Sequence, residues 1–178
     1  MADFQEAIKI VLTHEGNYAN RKNDKGGETY CGIARKKHPG WSGWEIIDEC
    51  RNRENFPKNL DAIKYLQKII TDFYYEEFWL KISASKISSQ KVANKLMDMS
   101  VLMGIHSASV CLQRALFSCG YLEKISLADG IIGEKTLCAI NNVAEYIILP
   151  SFKSECAGYY RCLNDEENIN GWLKRAYE

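Results

Sequence analysis

The chain has 178 residues, of which 46% are hydrophobic and 26% charged, with 23 Lys and Arg balanced by 23 Asp and Glu. That composition excludes a disordered polar chain and leaves room for one ordinary domain, or a catalytic unit of about 100 residues with a smaller companion. A formal net charge of +0 removes the basic excess from which nucleic-acid binding draws most of its affinity, so no nucleic-acid partner is expected.

The opening Met1-Ala2-Asp3-Phe4 lacks the basic region and apolar run of a signal peptide, and synthesis in the cytoplasm without such a leader is expected. A first helix follows. Asp3 is a fitting N-cap with Glu6 three residues on, and Phe4, Ala7, Ile8, Val11 and Leu12 repeat at helical spacing until Gly16. From Asn17 to Gly32 the composition turns to Asn, Lys, Asp and Gly, and Asp24-Lys25-Gly26-Gly27 predicts the turn of a small β-hairpin near 18–31. Pro39-Gly40, Trp41 and Trp44 precede a short helix near 44–53. One long amphipathic helix is predicted from Leu60 to Trp79, with Ile63, Leu66, Ile69, Ile70, Phe73 and Phe78 on its apolar side. The Ser/Lys-rich stretch 83–91 is the best linker, with Ser88 or Ser89 as a cap for a helix over Lys91 to Met103. Ser107 is read as the cap of the next helix, which Gly120 stops, and Asp129-Gly130 with Gly133 brackets a tight turn into a helix from Glu134. From Val143 the pattern predicts a helix interrupted by Pro150, a second stretch to about Leu163, and a tail holding Gly171-Trp172. No segment approaches the roughly 18 apolar residues of a membrane span, so membrane insertion is not expected. The seven cysteines form no CxxC pair and are read as reduced, mostly buried thiols. No ligand spacing among the acidic and histidine residues indicates a metal, and no cofactor is expected.

Two carboxylates stand out. Glu15 lies eleven residues after Phe4, which at 100° per residue returns it to about 20° from the same helix face. It is predicted in the last turn, on an apolar stripe and at the negative end of the helix dipole, a setting that favours the proton-bearing form a general acid needs. Asp24 sits nine residues on, among Arg21, Lys22 and Lys25, where it is expected to stay ionised. A pair of carboxyl groups in opposed environments is what glycoside hydrolysis generally uses. Spacing alone also fits a solvated charge at Glu15 and a turn former at Asp24. Tyr18, Tyr30, Trp41, Trp44, Tyr75 and Trp79 fit either sugar stacking or core packing.

Glu15-Gly16-Asn17-Tyr18, followed by Asp24-Lys25-Gly26-Gly27-Glu28-Thr29-Tyr30-Cys31-Gly32-Ile33, resembles the N-terminal signature of glycoside hydrolase family 108, approximately E-G-G-Y, a polar gap, then D-x-G-G-x-T-x-x-G-I. The resemblance implies a lysozyme-like helical fold and N-acetylmuramidase activity, with Glu15 at the catalytic glutamate and Asp24 and Thr29 positioning water or stabilising the transition state. The order of Glu, Asp and Thr is also similar to phage-type lysozymes, with eight residues between Glu and Asp, although Thr29 falls one position early. Asn17 stands where the family has a second Gly, a change that suits a position of positive φ. In the second half, Asp98-Met99-Ser100-Val101, Cys111 to Leu116, Asp129-Gly130-Ile131-Ile132-Gly133, Lys135-Thr136-Leu137 and Gly171-Trp172-Leu173 resemble the family's C-terminal peptidoglycan-binding region. Leu102 replaces an Asn common there, and Asp129 is read as a turn residue. The expected organisation is a catalytic region over 1–90 packed against a wall-binding region over 91–178. Tyr18, Tyr30, Trp79 and Asp98 are the expected substrate contacts. Peptidoglycan is the implied partner of a monomer that reaches the wall after release or with a holin or other export partner. The rival readings are a catalytically silent wall-binding module and a helical regulatory or export-assisting protein.

Overall fold

The computed structural model describes residues 1–20 and 27–178, and they form a mainly α architecture with a small antiparallel sheet. The contacts divide the chain into two compact units, one of Ile8–Glu76 and one of Met1–Ala7 with Glu77–Glu178. Helix α1, Phe4–His14, belongs to both.

In the unit of Ile8–Glu76, α1 buries Ile8 and Val11, as its spacing predicts. After it come strands β1 (Tyr18–Asn20), β2 (Glu28–Tyr30) and β3 (Ile33–Ala34), a three-stranded antiparallel sheet in chain order. Tyr18 pairs with Tyr30 and Ala19 with Thr29, and Thr29 also pairs with Ala34. The predicted hairpin is therefore present and carries a third strand. Cys31 and Gly32 make the two-residue link from β2 to β3 with φ of 46° and 78°, the doubly left-handed backbone that matches strand twist in tight hairpins. Cysteine in that conformation left no mark in the sequence pattern.

Helix α2, Gly43–Cys50, buries Trp44, Ile47 and Cys50, and the Trp44 indole N–H donates to the His38 carbonyl at 2.8 Å. The helix predicted from Leu60 to Trp79 is in fact three elements. A 3-10 turn over Lys58–Ala62 ends at Ile63, whose φ of −84° and ψ of 94° are extended. Helix α3, Lys64–Tyr74, follows, and a π turn over Tyr75–Trp79 completes the run. No Gly or Pro marks the break at Ile63, and Leu60, Leu66 and Ile70 are buried on both sides of it, so the apolar pattern runs through unbroken.

In the other unit, Asp3 caps α1 by accepting the Gln5 N–H at 2.7 Å. The N–H of Asp3 donates to Gln90 Oε1 at 2.6 Å, and Gln90 Nε2 returns a bond to the Asp3 carbonyl at 2.8 Å, so Gln90 takes the place expected of Glu6. Helix α4, Gln90–Met103, is capped by Ser89, which accepts from the Val92 N–H at 3.2 Å. Gly104, at φ 88°, turns the chain directly into α5, Ile105–Ser118; Ser107 is thus inside the first turn and not the cap. Helices α6 (Glu134–Asn142), α7 (Glu145–Cys162) and α8 (Ile169–Tyr177) follow.

Pro150 does not interrupt α7. The hydrogen bond it removes belongs to the carbonyl of Tyr146, a residue 80% exposed and open to solvent, while Ile148, Phe152, Cys156, Ala157 and Tyr160 hold the helix by burial. The predicted tail is α8, whose Trp172 stacks on Tyr160 with ring centroids 5.2 Å apart. Among the described residues, no helix is long and apolar enough to cross a membrane.

The Asp129-Gly130-Ile131 turn is built around fully buried Gln113. Its Nε2 donates to Asp129 Oδ1 at 2.9 Å and to the Ile131 carbonyl at 3.0 Å, while its Oε1 accepts the Gly130 N–H at 2.8 Å. Asp129 also accepts from the Ile131 N–H at 2.9 Å, the turn role read from the sequence.

Candidate active site

Glu15 is the first residue after α1 and its N–H still donates to the Val11 carbonyl at 3.0 Å, so it stands one turn beyond buried Val11 on the same face. Its side chain is half-buried. Exposed Gly32 lies against it: a Cβ on Gly32 would meet Glu15 Oε2 at 2.5 Å and the Tyr74 hydroxyl oxygen at 2.6 Å. Carboxyl and phenol thus close on one small space over a glycine. That glycine satisfies two needs, a φ of 78° and the absence of a side chain.

Cys31 sits beside this point, half-buried. Burial pushes its thiol up to about 11, helped by the negative charge of Asp61 and, further down, of Glu15, against a hydrogen bond from Tyr30. The thiol is therefore neutral near pH 7 and a poor nucleophile. Asp61 is an exposed carboxylate that accepts the Tyr30 hydroxyl at 3.2 Å, and Gln67 Nε2 donates to the same phenol oxygen at 3.1 Å.

A charged cluster fastens the sheet to α2. Glu28, with 10% of its side chain exposed, accepts from Tyr18 at 2.8 Å, Arg35 at 2.9 Å and Arg51 at 2.5 Å. Both arginines also reach Asp48, and the Arg35 guanidinium lies over the Trp44 ring at 5.2 Å. Burial alone would raise the Glu28 carboxyl, yet the bonds from Arg35, Tyr18 and Arg51 hold it below the usual carboxylate range. The same two arginines hold Asp48 far below it.

The predicted site residues do not all gather here. Asp24 lies outside the described residues. Thr29 is the centre of β2, half-buried, on the opposite face of the sheet from Tyr30. Tyr18 is half-buried, edge-on to Phe56 at 4.9 Å, with its hydroxyl in the Glu28 cluster. Tyr30 is 0% exposed with its hydroxyl held by Asp61 and Gln67, which makes it a wall of the core and not a sugar platform.

Trp79 is likewise corrected. It is 1% exposed and meets Phe4 edge-on at 5.6 Å within its unit. Asp98 is 1% exposed, bonded to Arg175 at 2.9 Å and 3.7 Å from the Lys95 ammonium, so it faces buried cations and not solvent. Asn17 is not among the residues of positive φ, and its replacement of glycine needs no special backbone. Tyr74, Cys31, Gly32, Asp61 and Gln67 were missed as site residues. Only Gly32, within the motif, carried a signal.

The model of the glycosyl hydrolase 108 family matches residues 8–104. The chain belongs to that family. Its match covers the helix, sheet and turn that surround Glu15 and ends with α4, so the residues beyond 104 stand outside it. No curated protein aligns significantly with the chain. Among solved structures the chain is similar to SagA from Brucella abortus, with 23% identity, a TM-score of 0.68, and coverage of 97% of this chain and 88% of that one. The mainly α, lysozyme-like fold that the resemblance implied is borne out. Membership places the chain in a glycoside hydrolase family.

Proposed function

We propose that the protein is a peptidoglycan hydrolase, an N-acetylmuramidase that cuts the β-1,4 bond between N-acetylmuramic acid and N-acetylglucosamine, with Glu15 as general acid. The observation that carries the reading is the Glu15 carboxyl, half-buried just beyond the end of α1 and seated against exposed Gly32. A proton donor needs a fixed position within about 2.6–3.2 Å of the leaving oxygen and an approach for the substrate. Partial burial of Glu15 favours the first, and the exposure of Gly32 beside its carboxyl favours the second.

Asp24 and Thr29 are assigned to water positioning and charge stabilisation, as the family motif suggests. Residues 91–178 are assigned to wall binding, and delivery to the wall to release or a holin-type partner. Clearing of purified cell walls by the native protein, and its loss in Glu15→Gln, tests the central assignment. Binding to insoluble peptidoglycan without clearing by the native protein would favour a silent wall-binding module instead.

A further inference from the structure

The Tyr74 hydroxyl has a single proton, and that proton is committed to the Cys31 carbonyl at 2.7 Å. The ring is 1% exposed, the last residue of α3, and edge-on to Phe73 at 5.5 Å, so the phenol oxygen is rigidly placed. It borders the same small space over Gly32 that Glu15 Oε2 borders. Its hydrogen bond also secures Cys31, a non-glycine residue at φ 46°, in the backbone conformation that sets Gly32 beside the carboxyl. Ring, hydroxyl, turn and carboxyl form one continuous arrangement within the unit of Ile8–Glu76.

We propose that Tyr74 is a positioning residue for Glu15: its fixed phenol oxygen and the turn it secures hold the Glu15 carboxyl in the rotamer that reaches the glycosidic oxygen. The inference rests on the reading of Glu15 as the acid. Tyr74 itself touches no substrate, and it acts through the carboxyl it places. Misplacing a reacting group by about 1 Å is enough to lower a rate about 100-fold.

Steady-state hydrolysis of soluble peptidoglycan strands is compared for the native protein, Tyr74→Phe and Glu15→Gln, with thermal melting of each. The expected result for Tyr74→Phe is a kcat lower by about ten- to a hundredfold with KM within about twofold. A kcat near native in folded Tyr74→Phe, while Glu15→Gln is inactive, overturns the role of Tyr74 alone. So does a rise in KM with kcat retained. Near-native activity in Glu15→Gln overturns the reading beneath it. Where Tyr74→Phe melts below the assay temperature, the comparison is made at a lower temperature at which melting shows it folded. A comparable loss of kcat is then expected, and native kcat overturns the proposal.

Discussion

Replacing Glu28 by Gln tests whether the charged cluster under the sheet stabilises the site-bearing unit. The carboxylate accepts Tyr18 and Arg51 on Oε1 and Arg35 on Oε2. An amide offers one acceptor oxygen. Whichever way it is turned, its NH2 faces a guanidinium, so at least one charge-assisted bond is lost and two donors meet. A hydrogen bond to a charged group contributes about 1.5–3 kcal/mol. The arginine side chains are 34% and 33% exposed, which calls for a discount for solvent screening, while Glu28 at 10% is mostly desolvated. The net loss is about 2 kcal/mol, or roughly 4–8 °C in melting temperature for a chain of this size.

The pH dependence has a definite sign. Glu28 is held below its ordinary value of 4.5 in the folded protein, so its contribution is fully present above that value and is lost as pH falls through the folded one. Asp48 is retained in both proteins and cancels from the difference. Chemical unfolding at a series of pH values is expected to show the full gap between native protein and variant at neutral pH and a shrinking gap below about pH 4.5. A gap under about 0.5 kcal/mol at neutral pH, or one unchanged at about pH 3, would refute the reasoning.

Other consequences follow from burial. Trp79→Ala is expected to destabilise by about 3–5 kcal/mol while KM for peptidoglycan stays unchanged in the folded fraction; a raised KM at native stability would restore Trp79 as a sugar contact. Asp98→Asn removes the charge that faces Arg175 and Lys95 in a nearly water-free setting and is expected to lose about 3 kcal/mol or more in denaturant unfolding, against no change if the residue served the substrate. Gln113→Leu strands the buried Gly130 N–H, and a loss of about 1–3 kcal/mol with faster amide exchange over 129–136 is expected. Unchanged exchange there would contradict the role given to Gln113.

What the sequence disclosed divides along a physical line. The first helix, the hairpin and the chemistry proposed at Glu15 were legible because each is written in local order: apolar spacing, turn residues, and a glutamate on the apolar stripe beside a glycine-rich motif. The break at Ile63 was not legible, since a 3-10 turn and an α-helix can bury the same apolar series without a breaker between them. Tyr30, Trp79 and Asp98 misled for a related reason. An aromatic or acidic residue has the same appearance in a chain whether it faces a ligand or a buried partner, and here the partners Asp61, Gln67, Phe4 and Arg175 lie 31, 37, 75 and 77 positions away. Tyr74 escaped because its role depends on Cys31, 43 positions earlier in the chain.

Mass analysis of the fragments released from defined peptidoglycan tests the central claim most directly, because it reads bond choice and reaction class together. The expected products end in a reducing N-acetylmuramic acid, each carrying the elements of one water, and Glu15→Gln releases none of them. Fragments ending in reducing N-acetylglucosamine or in anhydro sugars, or the same products from folded Glu15→Gln, would contradict it.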